Sequence, residues 1–325
     1  MKVLVTGGAG FIGSHLAAAL LARGDEVRLL DDFSTGKREN LDALPGTFEV
    51  LEGDIRDRAL CAAACKGIDA VLHQAALGSV PRSVEDPLTS HEVNVDGTLH
   101  LLCAALERSV RRFIFASSSS VYGNAPERVK VEDLPARPLS PYAVSKLAAE
   151  EYALTFHRVY GLETVALRYF NVFGPRQDPD SMYAAVVPRF ASSFLSLEPP
   201  TIFGDGNQSR DFTYVENVVR ANLLALECRP DACGKAYNVA CGASISVLEL
   251  FRLLREATGG KALKVEPVHE PPRKGDVRDS LASIDRAREG LGYVPGVDVK
   301  AGVQKTVEWY RHRKALAVSP GGLPT

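Results

Sequence analysis

Met1-Lys2-Val3-Leu4-Val5-Thr6 runs without interruption into Gly7-Gly8-Ala9-Gly10-Phe11-Ile12-Gly13. An apolar, β-branched run followed by glycines at G-x-x-G-x-x-G spacing predicts a strand, a tight turn and a helix in direct succession. Without side chains at Gly7, Gly10 and Gly13, backbone N–H groups and the helix N-terminus, with Phe11 and Ile12 in its first turn, can approach a pyrophosphate. The spacing departs from the commoner G-x-G-x-x-G, and a tight turn that binds nothing is the alternative.

Outward from this unit, strands are expected near 2–6, 26–31, 48–51, 69–73, 111–117 and 163–169, with helices near 11–23, 56–65, 88–108 and 142–160 between them. That alternation specifies an α/β fold with a doubly wound parallel sheet. After Arg168-Tyr169-Phe170-Asn171 the chain becomes punctuated by Pro and Gly, with helices near 183–196, 215–228, 246–257 and 299–315. A first domain is therefore expected over 1–172 and a smaller α/β substrate-binding domain over 173–325. Lys235 to Ala240 reads as a strand returning to the first sheet, so segments near 211–240 are expected to rejoin the first domain.

Composition narrows the function classes. The chain has 325 residues and a net charge of -2, with no basic stripe, so nucleic acid is not an expected partner. No apolar run reaches about 18 residues and the first strand starts at once, so neither a membrane span nor a signal peptide is expected, and the protein is placed in the cytoplasm. Six cysteines without a C-x-x-C read as reduced, buried thiols. The seven histidines form no ligand cluster, so no metal site is expected.

Asp31 closes the second strand, with Asp32 beside it, where an acidic side chain accepts hydrogen bonds from an adenosine ribose. Its charge repels a 2′-phosphate and favours NAD over NADP, a preference tempered by Lys37 and Arg38 nearby. Asp54-Ile55 suits an adenine edge or an ordinary surface turn. Tyr142 and Lys146, four apart on a helix, share a face, so the lysine is expected to lower the phenol pKa. Such a tyrosine exchanges protons with a substrate hydroxyl.

With Thr6 to Gly13, Gly53-Asp54-Ile55, the serine run Ser117–Ser120, Tyr142/Lys146 and Arg168 to Asn171 in this order, the chain resembles the extended short-chain dehydrogenase/reductase superfamily, and within it the nucleotide-sugar epimerases. The run His73-Gln74-Ala75-Ala76-Leu77-Gly78-Ser79-Val80-Pro81-Arg82-Ser83 is most similar to the UDP-N-acetylglucosamine 4-epimerase branch. The resemblance implies a Rossmann domain with tightly bound NAD, and Ser118 as catalytic partner of Tyr142 and Lys146. It implies that Ala75, Ala76, Asn94, Phe170 and the backbone near Ser117 line NAD. Asn171 would touch the substrate diphosphate, Arg210 and Arg273 would clamp it, Asp276 would bind the uridine ribose, and the Thr201–Phe203 edge would flank uracil. Gly78, Ser79, Ser119 and Ser120 would line the sugar pocket. At Ser280, relatives restricted to UDP-glucose/UDP-galactose carry a bulky tyrosine, so a serine implies room for an N-acetyl group.

The implied reaction is 4-epimerisation of UDP-N-acetylglucosamine/UDP-N-acetylgalactosamine, with UDP-glucose/UDP-galactose as a second pair. Serines stand where sugar 4,6-dehydratases place Thr-Asp-Glu, which argues against dehydration. A UDP-glucuronate 4-epimerase or decarboxylase is the rival, with Arg82, Arg176 or Arg273 facing the carboxylate. A non-catalytic NAD-binding regulator is remote, because Ser118, Tyr142 and Lys146 are all present. The resemblance also implies a homodimer through the helices near 88–108 and 142–160, although Leu101, Leu102, Ala105, Tyr152, Ala153 and Phe156 read equally well as a core-facing stripe.

Overall fold

The structure, a computed structural model, describes residues 1–179, 185–272 and 278–318. Its main sheet contains β1 (Lys2–Thr6), β2 (Glu26–Asp31), β3 (Glu49–Glu52), β4 (Ala70–His73), β5 (Arg112–Ser118), β6 (Glu163–Tyr169) and β7 (Lys235–Val239). They lie in the order β7-β6-β5-β4-β1-β2-β3, with every neighbouring pair parallel. Strand order reverses at β1, which has β4 on one side and β2 on the other. The carboxyl ends of β1 and β4 therefore splay into a crevice, the place where doubly wound sheets take ligands.

The strands are apolar along their length because both faces are covered. Val3 and Val5 of β1 pack with Leu16 and Leu20 of the helix Phe11–Ala22 and with Val218 and Ala221 of the helix Val215–Glu227. Leu4 points the other way, onto Cys61, Leu101 and Leu102. Each such fully buried aliphatic side chain contributes roughly 1.5–3 kcal/mol.

The helix expected near 88–108 runs unbroken from Pro87 to Glu107, with a π-turn over Glu92–Asp96 between Pro87–His91 and Gly97–Glu107. The wider turn carries the inward-facing Asn94, whose amide binds the Leu77 backbone and Ser145. The ambiguous apolar stripe also resolves: Leu101, Leu102, Ala105, Ala153 and Phe156 belong to the core beneath the sheet, while Tyr152 is exposed.

The second lobe closes around Phe190, Phe194, Leu250, Phe251, Val303 and Val307, from the helices Val186–Ser196, Val247–Thr258 and Val299–Val318. Beside it, a four-stranded sheet runs Ile245–Ser246, Ser209–Arg210, Asp279–Ala282 and Val129–Lys130. Its last strand comes from the first half of the chain and pairs Val129 with Leu281, stitching the lobes together. His15 Nε2 adds a 2.9 Å bond to the Pro175 carbonyl. Among the described residues, no helix is long and apolar enough to cross a membrane.

Candidate active site

Between the carboxyl ends of the strands and the second lobe lies a cleft of about 1370 Å³. Gly7, Gly10, Phe11, Ile12, Gly13, Asp31, Asp32, Asp54, Ile55, Ala75 and Ala76 line one end. Ser117, Ser118, Ser119, Ser120, Tyr142 and Lys146 lie deeper, with Gly78 and Ser79 above them and Asn171, Arg210 and Ser280 from the opposite side.

The glycine loop is shaped for a diphosphate. Gly7 has a φ of +66°, and a Cβ there would stand 2.8 Å from the Ala75 nitrogen; one on Gly13 would stand 2.0 Å from the Gly7 carbonyl oxygen. Only glycine allows the helix Phe11–Ala22 to start this close to the strand ends. No side chain caps that helix at Gly10, so its first-turn N–H groups are available to an anion. The cradle fits the pyrophosphate of a dinucleotide.

Asp31 lines this end, yet both its oxygens already hold the backbone: Oδ2 accepts from Ala9 N at 2.8 Å and Oδ1 from Phe33 N at 2.9 Å. Burial, opposed by these bonds, raises its carboxyl above the usual range. A carboxylate has further lone pairs, so tying the glycine loop to β2 leaves acceptor capacity for a ribose. The two cations left open by the sequence are engaged. Lys37 pairs with Asp178 at 2.9 Å. Arg38 pairs with Glu52 at 2.5 Å and stacks 4.0 Å from the centre of the Phe33 ring. Neither is a waiting partner for a 2′-phosphate.

At the cleft floor, one helix face meets the end of β5. Ser140 caps the helix Pro141–Tyr160, its Oγ accepting from Ala143 N at 3.2 Å. Tyr142, Lys146 and Glu150 follow at intervals of four and so share a face. Lys146 Nζ donates to the Ala116 carbonyl at 2.9 Å, Ser117 Oγ donates to Glu150 Oε2 at 2.5 Å, and the Tyr142 hydroxyl is hydrogen-bonded to Ser118. Ser118 Oγ also accepts from Ser120 N at 3.2 Å.

The electrostatics correct one expectation. Burial raises the Tyr142 phenol, with only the Ser118 bond opposing it, whereas Lys146 was expected to lower it. The lysine is itself fully buried and pushed down to about 7, and it directs its ammonium at the Ala116 carbonyl.

Four residues assigned to the cleft do not line it. Asn94 is buried and spends its amide on Leu77 and Ser145. Phe170 is fully buried in the core and meets the Tyr122 ring. Thr201 and Phe203 flank Ile202, which enters the second lobe's core, in a strand paired with Val268–Glu270. Arg273 and Asp276 lie outside the described residues. The cleft also contains residues the sequence did not single out for it: Gln74, Tyr122, Lys130, Tyr169 and Asp178. Tyr169 is bonded to Gln74 and Asn222 and raised to about 12 by burial. Gln74 and Tyr169 sit inside the two quoted motifs, the one signal that pointed to them.

A doubly wound sheet whose switch point carries a glycine cradle, with Ser118, Tyr142 and Lys146 gathered below it, defines a dinucleotide-dependent enzyme of the short-chain dehydrogenase/reductase type. The chain belongs to the NAD dependent epimerase/dehydratase family, whose model matches residues 3–240. It is 41% identical to the UDP-glucose 4-epimerase of Mycolicibacterium smegmatis, over 96% of this chain and 99% of that one. It superposes with a TM-score of 0.90 on the UDP-N-acetylglucosamine 4-epimerase from Methanobrevibacter ruminantium in complex with UDP-N-acetylmuramic acid, at 39% identity over 96% and 98% of the two chains. For the Thermus thermophilus UDP-glucose 4-epimerase in complex with NAD, the values are 0.87, 41%, 96% and 99%.

Proposed function

We propose that this NAD-dependent enzyme is a UDP-sugar 4-epimerase acting on UDP-N-acetylglucosamine/UDP-N-acetylgalactosamine, with UDP-glucose/UDP-galactose as a second pair. The observation that carries the reading is the meeting of Ser118, Tyr142 and Lys146 in a cleft whose opposite side presents Arg210 beside Ser280. Held by the cradle at Gly7, Gly10 and Gly13, NAD would supply the hydride-accepting and hydride-returning chemistry that inversion at the sugar C4 requires. Tyr142, in its phenolate form, takes the C4 hydroxyl proton and gives it back. Ser118, its oxygen already accepting from Ser120 N, donates to the same sugar oxygen. Lys146, anchored on Ala116, fixes the helix face on which Tyr142 stands.

On the opposite side, Arg210 offers the planar fork that suits a diphosphate. Asn171, at φ +35°, donates from Nδ2 to the Asp211 carbonyl, which orients its side chain at the cleft edge. Ser280 is small and stands next to Arg210, a combination that supports an N-acetylated sugar. Arg82 lines the cleft, and this keeps UDP-glucuronate as the second reading. A homodimer belongs to the same proposal, with exposed Val144, Tyr152 and Val159 on the helix Pro141–Tyr160 as its candidate face.

The test incubates purified protein, without added NAD, separately with UDP-N-acetylglucosamine, UDP-glucose and UDP-glucuronate, and identifies products by anion exchange and proton NMR. Conversion of the first to its C4 epimer supports the proposal. No conversion of it after NAD is added, with inversion or decarboxylation of UDP-glucuronate, replaces the substrate assignment.

A further inference from the structure

Cys228 caps the helix Val215–Glu227, and Cys233 follows the short turn Pro230–Ala232 that leads into β7. Their Sγ atoms lie 3.9 Å apart. All six cysteines are free thiols, and the sequence alone read them as six equivalent reduced groups. The geometry separates this pair from the rest.

We propose that Cys228 and Cys233 are an oxidation site that closes to a reversible disulfide when the protein meets a low-molecular-weight disulfide, with Cys228 as the attacking sulfur. A covalent S–S bond is about 2.05 Å long, so the sulfurs must approach by a little under 2 Å, within reach of side-chain rotation. The backbone on either side is pinned: Cys233 N donates to the Pro230 carbonyl at 3.0 Å and Gly234 N to the Thr164 carbonyl at 2.7 Å. Cys233 is only 4% exposed, whereas Cys228 is partly accessible, which makes Cys228 the sulfur an external reagent reaches.

Arg112 lies close by, its Nη1 donating to the Ala225 and Leu226 carbonyls at the helix end. The contact with the Cys233 sulfhydryl, aided by Arg112 against burial, holds the Cys228 thiol below its usual range. Burial instead pushes Cys61, Cys65 and Cys241 up to about 12, and the thiolate is the reactive form. In the exchange, Cys228 thiolate attacks one sulfur of the external disulfide, forming a mixed disulfide and expelling one thiolate. Cys233 then loses its proton to solvent, attacks Cys228 Sγ and expels the second. Two protein thiols are oxidised and one external disulfide is reduced to two thiols.

Neither cysteine lines the cleft, so this site stands or falls separately from the epimerase reading. The experiment exposes the full chain to oxidised glutathione, alkylates it under denaturing conditions and maps tryptic peptides. Both cysteines fall in the peptide 221–235, because Arg229 precedes proline. The expected result is that peptide lighter by two hydrogens and unalkylated, a Cys233→Ser protein carrying glutathione on Cys228, and a Cys228→Ser protein carrying none on Cys233. Full alkylation of both residues, wild-type protein left glutathionylated without closure, or a Cys233→Ser protein with no adduct at Cys228 overturns the proposal.

Discussion

Ser117 and Glu150 meet in a 2.5 Å hydrogen bond, the serine hydroxyl donating to a carboxylate that is 0% exposed. Arg168, from the neighbouring strand, binds the same carboxylate through Nε at 3.0 Å and through Nη2 at 2.5 Å. The helix bearing Tyr142 is thus locked onto the β5 residue next to Ser118. Replacing Glu150 with Ala leaves the Arg168 guanidinium buried without its counter-charge, and a loss of about 3–5 kcal/mol is expected. The double variant Glu150→Ala/Arg168→Met should recover much of it. Urea unfolding of the two proteins is the check, and equal losses would contradict the charge argument.

Tyr142→Phe removes the proton-transfer hydroxyl while keeping the ring. Turnover of the preferred UDP-sugar is expected to fall by ~10²–10⁴-fold, with bound dinucleotide retained, since the cradle at Gly7, Gly10 and Gly13 is untouched. Rate assays paired with release and chromatography of the dinucleotide separate the two effects. Unchanged turnover would remove the tyrosine from the mechanism.

The parts of this molecule that could be read from the chain are those whose physics is local. β1 and its glycine turn occupy twelve consecutive residues, Lys2 to Gly13, and Tyr142 and Lys146 are set by one helical repeat. The adjacency of Arg210 and Ser280 depends on strand pairing across about seventy positions, and only a family resemblance suggested each residue. The bridge from Lys37 to Asp178 has no local pattern. Asn94 is a third case: the resemblance sets it beside NAD, while its amide holds the Leu77 backbone and Ser145, partners that no local spacing marks.

The Lys37–Asp178 pair also makes cofactor choice testable. Asp178→Ala frees Lys37 at the end of the cleft where the adenosine ribose is expected, and a 2′-phosphate then gains a cation. Partly exposed pairs are worth about 0.2–1 kcal/mol, so the ratio of NADP to NAD affinity should rise roughly 1.5- to 5-fold. Reconstitution of stripped protein, followed by fluorescence titration with each dinucleotide, measures it. An unchanged ratio would place Lys37 away from the ribose.

His73 makes stability depend on acid. Its Nδ1 lies 2.6 Å from Thr6 Oγ1 and its Nε2 2.9 Å from Thr98 Oγ1. Burial first, then Lys146, pushes the imidazole down to about 3. The folded pKa is below the unfolded value near 6.5, so the unfolded chain binds the extra proton, and this contribution is present above pH 6.5 and lost as pH falls toward 3. His15, lowered to about 4 by burial, acts in the same direction, while Asp211, raised to about 6 by burial, offsets one of them below pH 6. Comparison of wild type with His73→Asn therefore isolates the term. Between pH 6 and 4, the wild-type unfolding free energy should fall more steeply, by about 1.4 kcal/mol per pH unit; parallel slopes would mean that His73 is not held neutral.

The sugar pocket gives the sharpest separation of substrates. Ser280 pairs in register with Arg210 and lines the cleft, and its carbonyl accepts from Asp211 N at 2.8 Å. Its backbone is therefore fixed, and a larger side chain at this position cannot retreat by moving the strand. Ser280→Tyr should fill the space assigned to the N-acetyl group while leaving the catalytic floor intact. The expected outcome is at least about a tenfold loss of kcat/KM for UDP-N-acetylglucosamine, ~1.4 kcal/mol, with UDP-glucose turnover changed by less than about threefold. Parallel assays of the two substrates decide it. Equal losses on both would show that the tyrosine obstructs the nucleotide or the shared hexose ring, and the assignment of Ser280 as the residue admitting an N-acetyl group would fall.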